Sequence, residues 1–406
     1  MPEGVPVIRG NNLTKDLTRF LDTGFVFLTE EKAREFRNCE AVPGDLVFTA
    51  AGTLGQVGII PDCPTYSRYI ISNKQLRARL DQRRVLPLFA FYWLSSPRMV
   101  EYIEQRNTGS TVPLINLGVL RSLPIPLPPL GEQTEIVTVL GTLDDKIELN
   151  RRMNQTLEGI ARALFTSWFV DFDPVRAKAE GRQPEGMDAE TAALFPSEFE
   201  ESDLGAIPKG WQLRRLDQIA TFLNGLALQK YPPTESSWLP VIKIAQLRKG
   251  NVDGADRASA NLPPGYVIED GDVLFSWSGS LEVVIWGAGR GALNQHLFKV
   301  TSSATPKWFY YLWTKHHLPW FQEIARGKAT TMGHIQRHHL SEAKVSVPPG
   351  ELMNGMSKIM SPLIEHQAVN HFQFRTLSTL RDTLLPRLLS GELRVPVADA
   401  LVAATL

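Results

Sequence analysis

The chain has 406 residues, of which 43% are apolar and 21% are charged, and its formal net charge at neutral pH is zero. This composition is typical of a protein with sizeable hydrophobic cores and two or three domains. Two cysteines exclude a disulfide framework and a cysteine-rich zinc site, and zero net charge argues against a uniformly basic nucleic-acid binder. The sequence has no apolar run of the roughly 18 residues that a membrane span needs, and no apolar signal core near its start. We therefore expect a cytoplasmic protein without a membrane partner.

The charges are unevenly distributed along the chain. Residues 1–129 carry 15 Lys and Arg against 12 Asp and Glu, and residues 201–349 carry 16 against 12. Residues 130–200 between them carry 7 against 14. Two mildly basic blocks thus flank an acidic connector, and any anion-binding surface should lie in the blocks. Ordinary surface scatter can also produce imbalances of this size.

The first block, residues 1–130, has the pattern of an α+β domain with short strands. The segment PVIRGNNL at 6–13 predicts a strand that ends in a polar loop, and GDLVFTAAGT at 44–53 predicts a strand that leaves a tight Gly-Asp turn. The segment PLFAFYWLSSP at 87–97 begins with proline and is apolar and aromatic, which predicts a buried helix. An aromatic cofactor-binding box is the alternative for that segment. The stretch at 108–129 ends in two prolines, which should separate the block from the next helix.

Residues 131–170 follow the prolines and predict one long helix. Apolar residues recur at heptad positions a and d over about five heptads, which is the signature of a coiled coil. Position a is occupied by Ile136, Leu143, Asn150, Leu157 and Leu164, and position d by Val139, Lys146, Met153, Ile160 and Ser167. A helix of roughly 38 residues would be about 57 Å long.

The remaining chain repeats this organisation. Residues 171–205 are rich in proline, glycine and acidic residues and predict an extended connector. The second block is residues 206–350, the second helix is 351–395, and a tail covers 396–406. The second block and helix together form a second copy of the first pair.

Internal duplication is the strongest signal in the sequence. GDVLFSWSGS at 271–280 repeats the Gly-Asp turn and strand, and PVIKIAQL at 240–247 repeats the opening strand. From the loop before the prolines into the helix, residues such as Leu120 and Leu340 keep a constant spacing of 220. A spacing this long indicates duplicated domains rather than a solenoid. We call the strands predicted at Pro-Val-Ile 6–8 and 240–242 the two PVI strands. Residues 206–239 precede the second PVI strand and have no counterpart before the first.

The second helix has the heptad pattern of the first. Position a is occupied by Met356, Leu363, Asn370, Leu377 and Leu384, and position d by Ile359, His366, Gln373, Leu380 and Arg387. Asn150 and Asn370 share one a position, where two facing amides can pair and fix the register. We therefore predict an antiparallel coiled coil in which these asparagines form one layer and Leu157 and Leu377 belong to apolar layers. Two helices packed on separate domains are the alternative, and Pro362 should kink the second helix or reset its first turn.

Motifs for catalysis are absent from the sequence. There is no GxGxxG, P-loop, HExxH or GxSxG motif and no methyltransferase-like [ND]PP[YF] motif. The pairs His316-His317 and His338-His339 occur only in the second block, without cysteines or well-spaced acidic residues, so no metal site is predicted. We expect a non-enzymatic chain with no catalytic residue and no cofactor of its own. A self-contained DNA methyltransferase or nuclease is the alternative from another functional class.

These features resemble type I restriction–modification specificity subunits. The segment LPPLGEQTEIVTVLGTLDDKIELNRRMNQTLEGIARALFTSWFVDFDPVRAK at 127–178 is very similar to the central conserved region of that family. SDLGAIPKGWQLRRLDQIATFLNG at 202–225 resembles the start of its target recognition domain, and LRDTLLPRLLSGELRV at 380–395 resembles its conserved C-terminal end. The resemblance covers nearly the whole chain. Its one departure is the missing opening of the first block.

The resemblance implies a DNA-binding subunit of a restriction–modification complex, in which two target recognition domains each read half of a bipartite, asymmetric site in double-stranded DNA. The paired helices would set the gap between the half-sites and dock two adenine methyltransferase subunits, and restriction and translocase subunits would join them. S-adenosylmethionine and ATP with magnesium would be bound by those partners. An inactive or truncated scaffold, which binds methyltransferase subunits without full DNA recognition, is the alternative because the first block is short.

Side chains that read bases or hold phosphates are expected on three loops of each block: the loop after the PVI strand, the turn after the Gly-Asp strand and the loop before the prolines. In the first block these candidates are Arg9, Asn11, Asn12, Lys15, Thr49, Thr53, Arg106, Ser110 and Thr111. In the second block they are Lys243, Gln246, Arg248, Lys249, Ser276, Ser278, Ser280, Arg326, Lys328, Thr330 and Thr331.

Overall fold

A computed structural model describes residues 4–203, 205–234, 236–327 and 333–405. The chain divides into two compact units: unit 1 contains Met1–Lys146 and Leu377–Leu406, and unit 2 contains Ile147–Thr376. Each unit combines small sheets with helices, which confirms the predicted α+β class. Among the described residues, no helix is long and apolar enough to cross a membrane.

Unit 1 contains two small sheets. Its strands are β1 (Val5–Ile8), β2 (Val26–Leu28), β3 (Glu40–Ala41), β4 (Leu46–Thr49), β5 (Val57–Ile59), β6 (Tyr69–Ile71) and β7 (Gln75–Ala78), and its first helices are α1 (Glu30–Glu35), α2 (Pro87–Leu94), α3 (Pro97–Glu104) and α4 (Leu117–Arg121). One sheet has the order β2-β1-β6-β3 and the other β5-β4-β7. Strand β1 runs parallel to β6, and the other pairs are antiparallel. The long helix α5 (Leu130–Phe169) begins in this unit.

Unit 2 has more strands. Its helices are α6 (Asp173–Ala179), α7 (Ala189–Leu194), α8 (Leu216–Ile219), α9 (Ile244–Lys249), α10 (Lys307–Gly327) and α11 (Arg337–Glu342), and its strands are β8 (Phe199–Ser202), β9 (Gly205–Pro208), β10 (Gln212–Arg215), β11 (Thr221–Asn224), β12 (Trp238–Ile242), β13 (Arg257–Ser259), β14 (Val267–Ile268), β15 (Val273–Ser276), β16 (Val283–Ile285), β17 (Gly291–Leu293), β18 (Leu297–Thr301) and β19 (Lys344–Val347). The second long helix, α12 (Gly350–Leu389), begins here, and α13 (Val395–Ala403) ends unit 1.

The sheets show the duplication that the sequence predicts. The order β13-β12-β17-β14 in unit 2 repeats β2-β1-β6-β3, with the PVI strand again parallel to its inner neighbour. The order β11-β18-β15-β16 repeats β7-β4-β5 with one additional strand, β11, beside β18. Strand β11 belongs to the segment that the first block lacks.

The Gly-Asp motif has the same structural role in both units. Gly44 and Gly271 have φ values of 82° and 86°, in the left-handed region that glycine tolerates. The next residue, Asp45, accepts a hydrogen bond from the amide of Val42 at 3.0 Å, closing the turn. It is buried and also binds Arg79 with both carboxylate oxygens at 2.7 and 2.6 Å.

The unit 2 copy follows the same plan. Asp272 accepts the amide of Glu269 at 2.7 Å and pairs with Lys299, on the neighbouring strand β18, at 2.7 Å. In each unit the motif therefore closes a turn and supplies a charge partner to a basic side chain nearby. Both roles require the aspartate directly before the strand, which explains why the two copies share it.

The aromatic helices α2 and α10 form part of the cores. Phe89, Phe91 and Tyr92 of α2 are at most 1% exposed, as expected for a buried helix. Helix α10 is longer than its counterpart α2, because it continues through Pro319. Nε2 of His317 on this helix donates a 2.9 Å hydrogen bond to the carbonyl of Lys344, and burial lowers the pKa of His317 to about 4. The buried aromatic side chains of both helices are therefore parts of the hydrophobic cores.

Helices α5 and α12 pair in antiparallel fashion, as predicted. In unit 1, Arg381 contacts Asp144 at 2.9 Å. In unit 2, the amide of Asn150 donates to Gln373 at 3.3 Å, and Asn370 donates to Asn154 at 2.8 Å. As the residue number rises along α5, the number of its partner on α12 falls, which is the antiparallel sense.

The predicted seam of the helix pair is half wrong. The a positions are mostly buried, Leu377 at 3% and Leu157 partly, but the d residues Met153 and Ile160 are 37% and 43% exposed. Position e takes their place, and its residues are Leu140, Ile147, Asn154 and Ala161 on α5 and Met360, Gln367, Phe374, Arg381 and Leu388 on α12, all buried or partly buried. Apolar residues that alternate between spacings of three and four residues fit an a/d and an a/e frame equally well. The apolar spacing alone therefore did not determine the seam.

Two further expectations about the helical regions are wrong in detail. Asn150 and Asn370 do not bond to each other as predicted but to Gln373 and Asn154, so the polar layer contains more amides than expected. Helix α12 is continuous through Pro362, so the predicted reset of its first turn is wrong, and a kink at this proline stays a prediction.

The acidic connector is also more structured than predicted. Residues 171–205 include α6, α7 and β8, and Phe195 is buried in the core of unit 2. Lys178 of α6 donates to the carbonyls of Ala192 and Ala193 at 3.1 Å each, which fastens α6 to α7. The apolar residues that stand between the prolines and the acidic residues of this segment were the overlooked signal that it packs against a core.

We expect Asn154→Leu and Asn370→Leu each to lower the free energy of unfolding by about 1–3 kcal/mol, because each leaves the other amide without its partner. The loss of stability in the double variant should be smaller than the sum of the two single losses, because the double variant removes both polar groups. Thermal or urea unfolding of the four proteins measures this coupling. Simple additivity of the two losses would mean that the 2.8 Å contact contributes nothing.

Candidate nucleic-acid interface

Loops from distant parts of unit 1 meet at one end of its β5-β4-β7 sheet. The amide of Gly52 donates to the carbonyl of Pro113 at 2.9 Å, and Ile115 donates to Ala50 at 2.8 Å. Ala50 in turn donates to the carbonyl of Lys74 at 2.8 Å. We call this group of loops cluster 1; it contains residues 9–16, 50–56, 72–75 and 105–114.

The loop after β1 joins cluster 1 through side chain and backbone. Lys15 forms an ion pair with Glu104, at the end of α3. The amide of Val57 donates to the carbonyl of Thr14 at 3.3 Å. The three loops that the sequence singled out in the first block therefore lie side by side.

Unit 2 assembles the corresponding loops in the same way. The amide of Gly279 donates to Gly333 at 2.8 Å, and Ile335 donates to Trp277 at 3.0 Å, which repeats the contact between the turn and the loop before the prolines. Arg248 of α9 reaches Glu282 at 3.5 Å. We call this group cluster 2; it contains residues 243–250, 277–282, 294–296 and 333–336.

Five of the predicted DNA-contacting residues are buried and are withdrawn as candidates. Asn12 is fully buried, accepts the amide of Arg9 at 2.9 Å and donates to two carbonyls of the loop that follows. Gln246 repeats this role and accepts the amide of Lys243 at 3.3 Å. Both residues hold the loop after the PVI strand in shape. The other three are Thr49, Ser276 and Ser278, which are at most 3% exposed. Thr49 and Ser276 bond within their own turns, and the hydroxyl of Ser278 bonds to Nδ1 of His296 at 3.0 Å.

Most other candidates are exposed in the two clusters. These are Arg9, Asn11, Lys15, Thr53, Ser110 and Thr111 in unit 1 and Arg248, Lys249 and Ser280 in unit 2, with Arg326 at the end of α10 also exposed. Lys243 is partly buried and paired with Asp256, and Arg106 lies over the ring of Tyr102 at 3.2 Å. Lys328, Thr330 and Thr331 lie outside the described residues.

Comparison with known proteins identifies this architecture. The family model for the type I restriction modification DNA specificity domain matches the chain twice, at residues 1–159 and 208–373. The chain belongs to the type I restriction–modification specificity subunits. It contains two DNA specificity domains, and clusters 1 and 2 lie one in each.

Relatives of similar length support this assignment. The MjaIX specificity subunit of Methanocaldococcus jannaschii is 26% identical over 400 residues, which is 96% of this chain and 87% of the relative. The HindI specificity subunit of Haemophilus influenzae is 28% identical and covers 80% of this chain and 81% of its own. The crystal structure of an S subunit from M. genitalium matches with a TM-score of 0.51 at 16% identity, over 95% of this chain and 92% of that one, and so shares its fold.

Each cluster also contains candidate site residues that the sequence did not indicate. In cluster 1, Lys74 is exposed on the turn between β6 and β7. In cluster 2, the indole of Trp277 donates to Asn224 at 2.9 Å and lies 5.8 Å from the ring of His296. The polar tripeptide at 294–296, placed just after a strand that pairs with the PVI strand, was the signal that could have identified this fourth loop.

One group of metal-binding residue types also comes together in the second specificity domain. Glu342 brings its carboxylate within 4.8 Å of the ring nitrogens of His338 and His339, so the acidic residue that the sequence seemed to lack is present. However, Nδ1 of His339 accepts the amide of Gln336 at 2.9 Å. That nitrogen therefore takes part in capping the N-terminus of α11.

Proposed function

We propose that cluster 1 and cluster 2 each read one half of a bipartite sequence in double-stranded DNA. The observation that carries this proposal is that the two clusters are built alike: a loop after the PVI strand, a turn after the Gly-Asp strand and a loop before the prolines meet in each. A shared framework with different exposed side chains is what reading two different half-sites requires.

The side chains of the clusters differ in chemistry. Cluster 1 exposes Thr53, Lys74 and Ser110. Cluster 2 exposes Lys249 and also contains the partly buried rings of Trp277 and His296. Hydroxyl and ammonium groups can bind phosphates, whereas an indole and an imidazole offer edges and faces for bases. We therefore propose an asymmetric target.

We further propose that methyl transfer, ATP hydrolysis and cleavage belong to partner subunits, two adenine methyltransferases and the restriction and translocase subunits, which would bind S-adenosylmethionine and ATP with magnesium. Leu149 and Ile160 of α5 and Val369 and Phe372 of α12 are 43–54% exposed, all in unit 2. Large apolar side chains exposed along a helix pair favour a protein partner. We propose this helix surface for methyltransferase docking.

We expect Lys74→Ala and Lys249→Ala to weaken binding of the assembled complex to DNA at low salt. Each removes an exposed ammonium from a cluster, so the slope of log affinity against log salt concentration should fall by about one per lysine. Lys358→Ala, an exposed lysine of α12 outside both clusters, is the matched control and should leave the slope unchanged. If all three variants had the same salt slope, neither Lys74 nor Lys249 would belong to the DNA interface.

Exchange of one block tests the proposed function directly. Residues 210–349 are replaced with the corresponding block of a relative, and the chain is produced with its methyltransferase partners in a host whose methylated sites are then sequenced. We expect one half of the methylated sequence to change and the other half to remain. The reciprocal exchange of residues 1–129 should change the opposite half, and a complete change of target from either exchange would contradict independent reading.

A further inference from the structure

A fourth loop belongs to each cluster, and the strand registers show that its two copies correspond residue by residue. The loop is residues 72–74, between β6 and β7, in unit 1 and residues 294–296, between β17 and β18, in unit 2. The strand before it runs parallel to the PVI strand, and the strand after it pairs with the Gly-Asp strand, in the same register in both units. Both loops have three residues, so Ser72, Asn73 and Lys74 correspond to Asn294, Gln295 and His296.

The first residue of each loop has a structural role. The hydroxyl of Ser72 accepts the amide of Lys74 at 3.3 Å, and Oδ1 of Asn294 accepts the amide of His296 at 3.2 Å. Both side chains thus close the same local turn, from the first to the third position of the loop. They are therefore occupied in shaping the loop.

The third residue anchors each loop to the turn after the Gly-Asp strand. The carbonyl of Lys74 accepts the amide of Ala50 at 2.8 Å, and that of His296 accepts the amide of Trp277 at 3.3 Å. Ala50 and Trp277 each follow the last residue of the Gly-Asp strand, so the anchor is the same in both units. The fourth loop thus has a fixed position in each cluster, and its middle residue stands at the tip.

The middle residue is a carboxamide in both units, and it is the one position of the loop at which both copies carry the same functional group. Asn73 is exposed, and Gln295 is partly buried. A carboxamide offers an acceptor oxygen beside a donor nitrogen, which matches N6 and N7 on the major-groove edge of adenine. A phosphate only accepts hydrogen bonds, and guanine presents two acceptors on that edge, so neither uses both groups.

The surroundings of Gln295 hold its carboxamide in place. The backbone amide of Gln295 donates to Leu226 at 2.9 Å, and its carbonyl accepts the indole of Trp277 at 3.1 Å. The side-chain nitrogen lies 3.5 Å from Nε2 of His296, and Nδ1 of that ring lies 3.0 Å from the hydroxyl of Ser278. Because an amide nitrogen only donates, Nε2 accepts and Nδ1 carries the ring proton. The carboxamide keeps a second hydrogen and its oxygen, the donor and the acceptor that adenine needs.

We propose that Asn73 and Gln295 are specificity-determining residues, each of which reads one adenine through the major groove of its half-site. The amide nitrogen donates to N7 of the base, and the amide oxygen accepts from the N6 amino group. These contacts rest on the DNA-reading function proposed above and add the base and the residue that reads it. Both half-sites then contain an adenine where the fourth loop contacts them, and the other loops make the two halves differ.

Gln295→Glu and Asn73→Asp test these contacts in the complex with its methyltransferase partners. Each variant replaces the donor nitrogen with an acceptor oxygen of similar size, so that two acceptors face each other at N7. Sequencing of methylated sites should show the preference for adenine falling about tenfold at one position of one half-site for Gln295→Glu, and at one position of the other half-site for Asn73→Asp. Gln183→Glu changes an exposed carboxamide outside both clusters and should leave every position unchanged.

Duplex probes identify the atom that is contacted. 7-Deazaadenine lacks the N7 acceptor and is placed at one adenine of the half-site at a time, in either strand, before the affinity of the complex is measured. One position should weaken binding of the parent complex about tenfold and leave binding of the Gln295→Ala complex unchanged, because that variant has already lost the contact. Since Gln295→Ala adds no charge, it also serves if Gln295→Glu abolishes methylation altogether.

Two results would overturn the assignment of adenine to Gln295. One is that no 7-deazaadenine position distinguishes the parent from Gln295→Ala, and the other is that the variants weaken binding to all sequences equally, which would place the carboxamide on a phosphate. The exchange of residues 210–349 decides the DNA-reading function separately. If that exchange changes one half-site while the carboxamide variants keep every base preference, the assignment fails and the DNA-reading function stands.

Discussion

Replacing Asp144 with alanine should lower the free energy of unfolding of unit 1 by about 3–5 kcal/mol, because it removes the buried carboxylate that pairs with buried Arg381 and leaves only the exposed Asp382 beside that cation. Asp144 lies on α5 and is 7% exposed. Its carboxylate binds Arg381 of α12 at 2.9 Å and accepts the hydroxyl of Tyr92 at 2.6 Å. Arg19 lies 3.7 Å away on the same side. One carboxylate therefore connects both helices and the aromatic helix α2 within the unit.

Burial and the Asp144 charge together raise the pKa of Tyr92, burial being the larger cause, so this phenol stays protonated and donates to the carboxylate. Arg381, although buried, has a raised pKa because the attraction of Asp144 and Asp382 outweighs desolvation. An arginine side chain stays protonated in proteins, so Arg381 remains charged when Asp144 is removed. Its charge must then be solvated or the helix pair must open. This is the physical source of the large expected loss.

The neighbouring residue provides the matched control. Asp145 contacts Arg19 at 3.0 Å, but its side chain is 72% exposed. Asp145→Ala should therefore cost only about 0–1 kcal/mol, as for other surface ion pairs. Urea unfolding followed by the fluorescence of the chain would measure both variants. Similar losses for the two aspartates would show that burial of Asp144 contributes little.

The fold was predictable where a feature occurs twice in the sequence. The PVI strand, the Gly-Asp turn and the constant 220-residue spacing each gave two independent observations of one domain, and both copies have the predicted strands. The seam of the helix pair was not determined in this way, because both copies permit the a/d and the a/e frame. Buried Arg381 at an e position shows why apolar spacing misled: polar residues occupy part of the true seam.

The candidate site was predictable at the level of loops but not of side chains. The sequence identifies the loops because they follow recognisable strands, and the structure brings those loops together. The sequence does not show which polar residue of each loop points inward. Asn12 and Asn11 are adjacent and chemically identical, yet Asn12 is fully buried as a loop-holding amide while Asn11 is exposed. Burial of this kind depends on the loop at 21–24 that folds over Asn12, which local sequence does not reveal.

If the helix pair sets the gap between half-sites, insertion of one heptad into both helices should lengthen the gap without changing the bases that are read. The insertions belong after Ile147 in α5 and after Leu377 in α12. These points lie between the Asp144–Arg381 and the Asn150–Gln373 contacts, so both contacts are kept. Seven residues add about 10.5 Å of helix. At about 3.4 Å per base pair, the gap should grow by up to about three base pairs.

Insertion into α5 alone is the control for this experiment. It shifts one helix by about two turns against the other, so the contacts on one side of the insertion can no longer form. That variant should lose stability and methylation of any target, whereas the double insertion should keep both. Sequencing of methylated sites in cells that contain the matching methyltransferase gives the readout. A double insertion that altered the half-site bases and left the gap unchanged would mean that the helices orient the reading loops and do not act as the spacer.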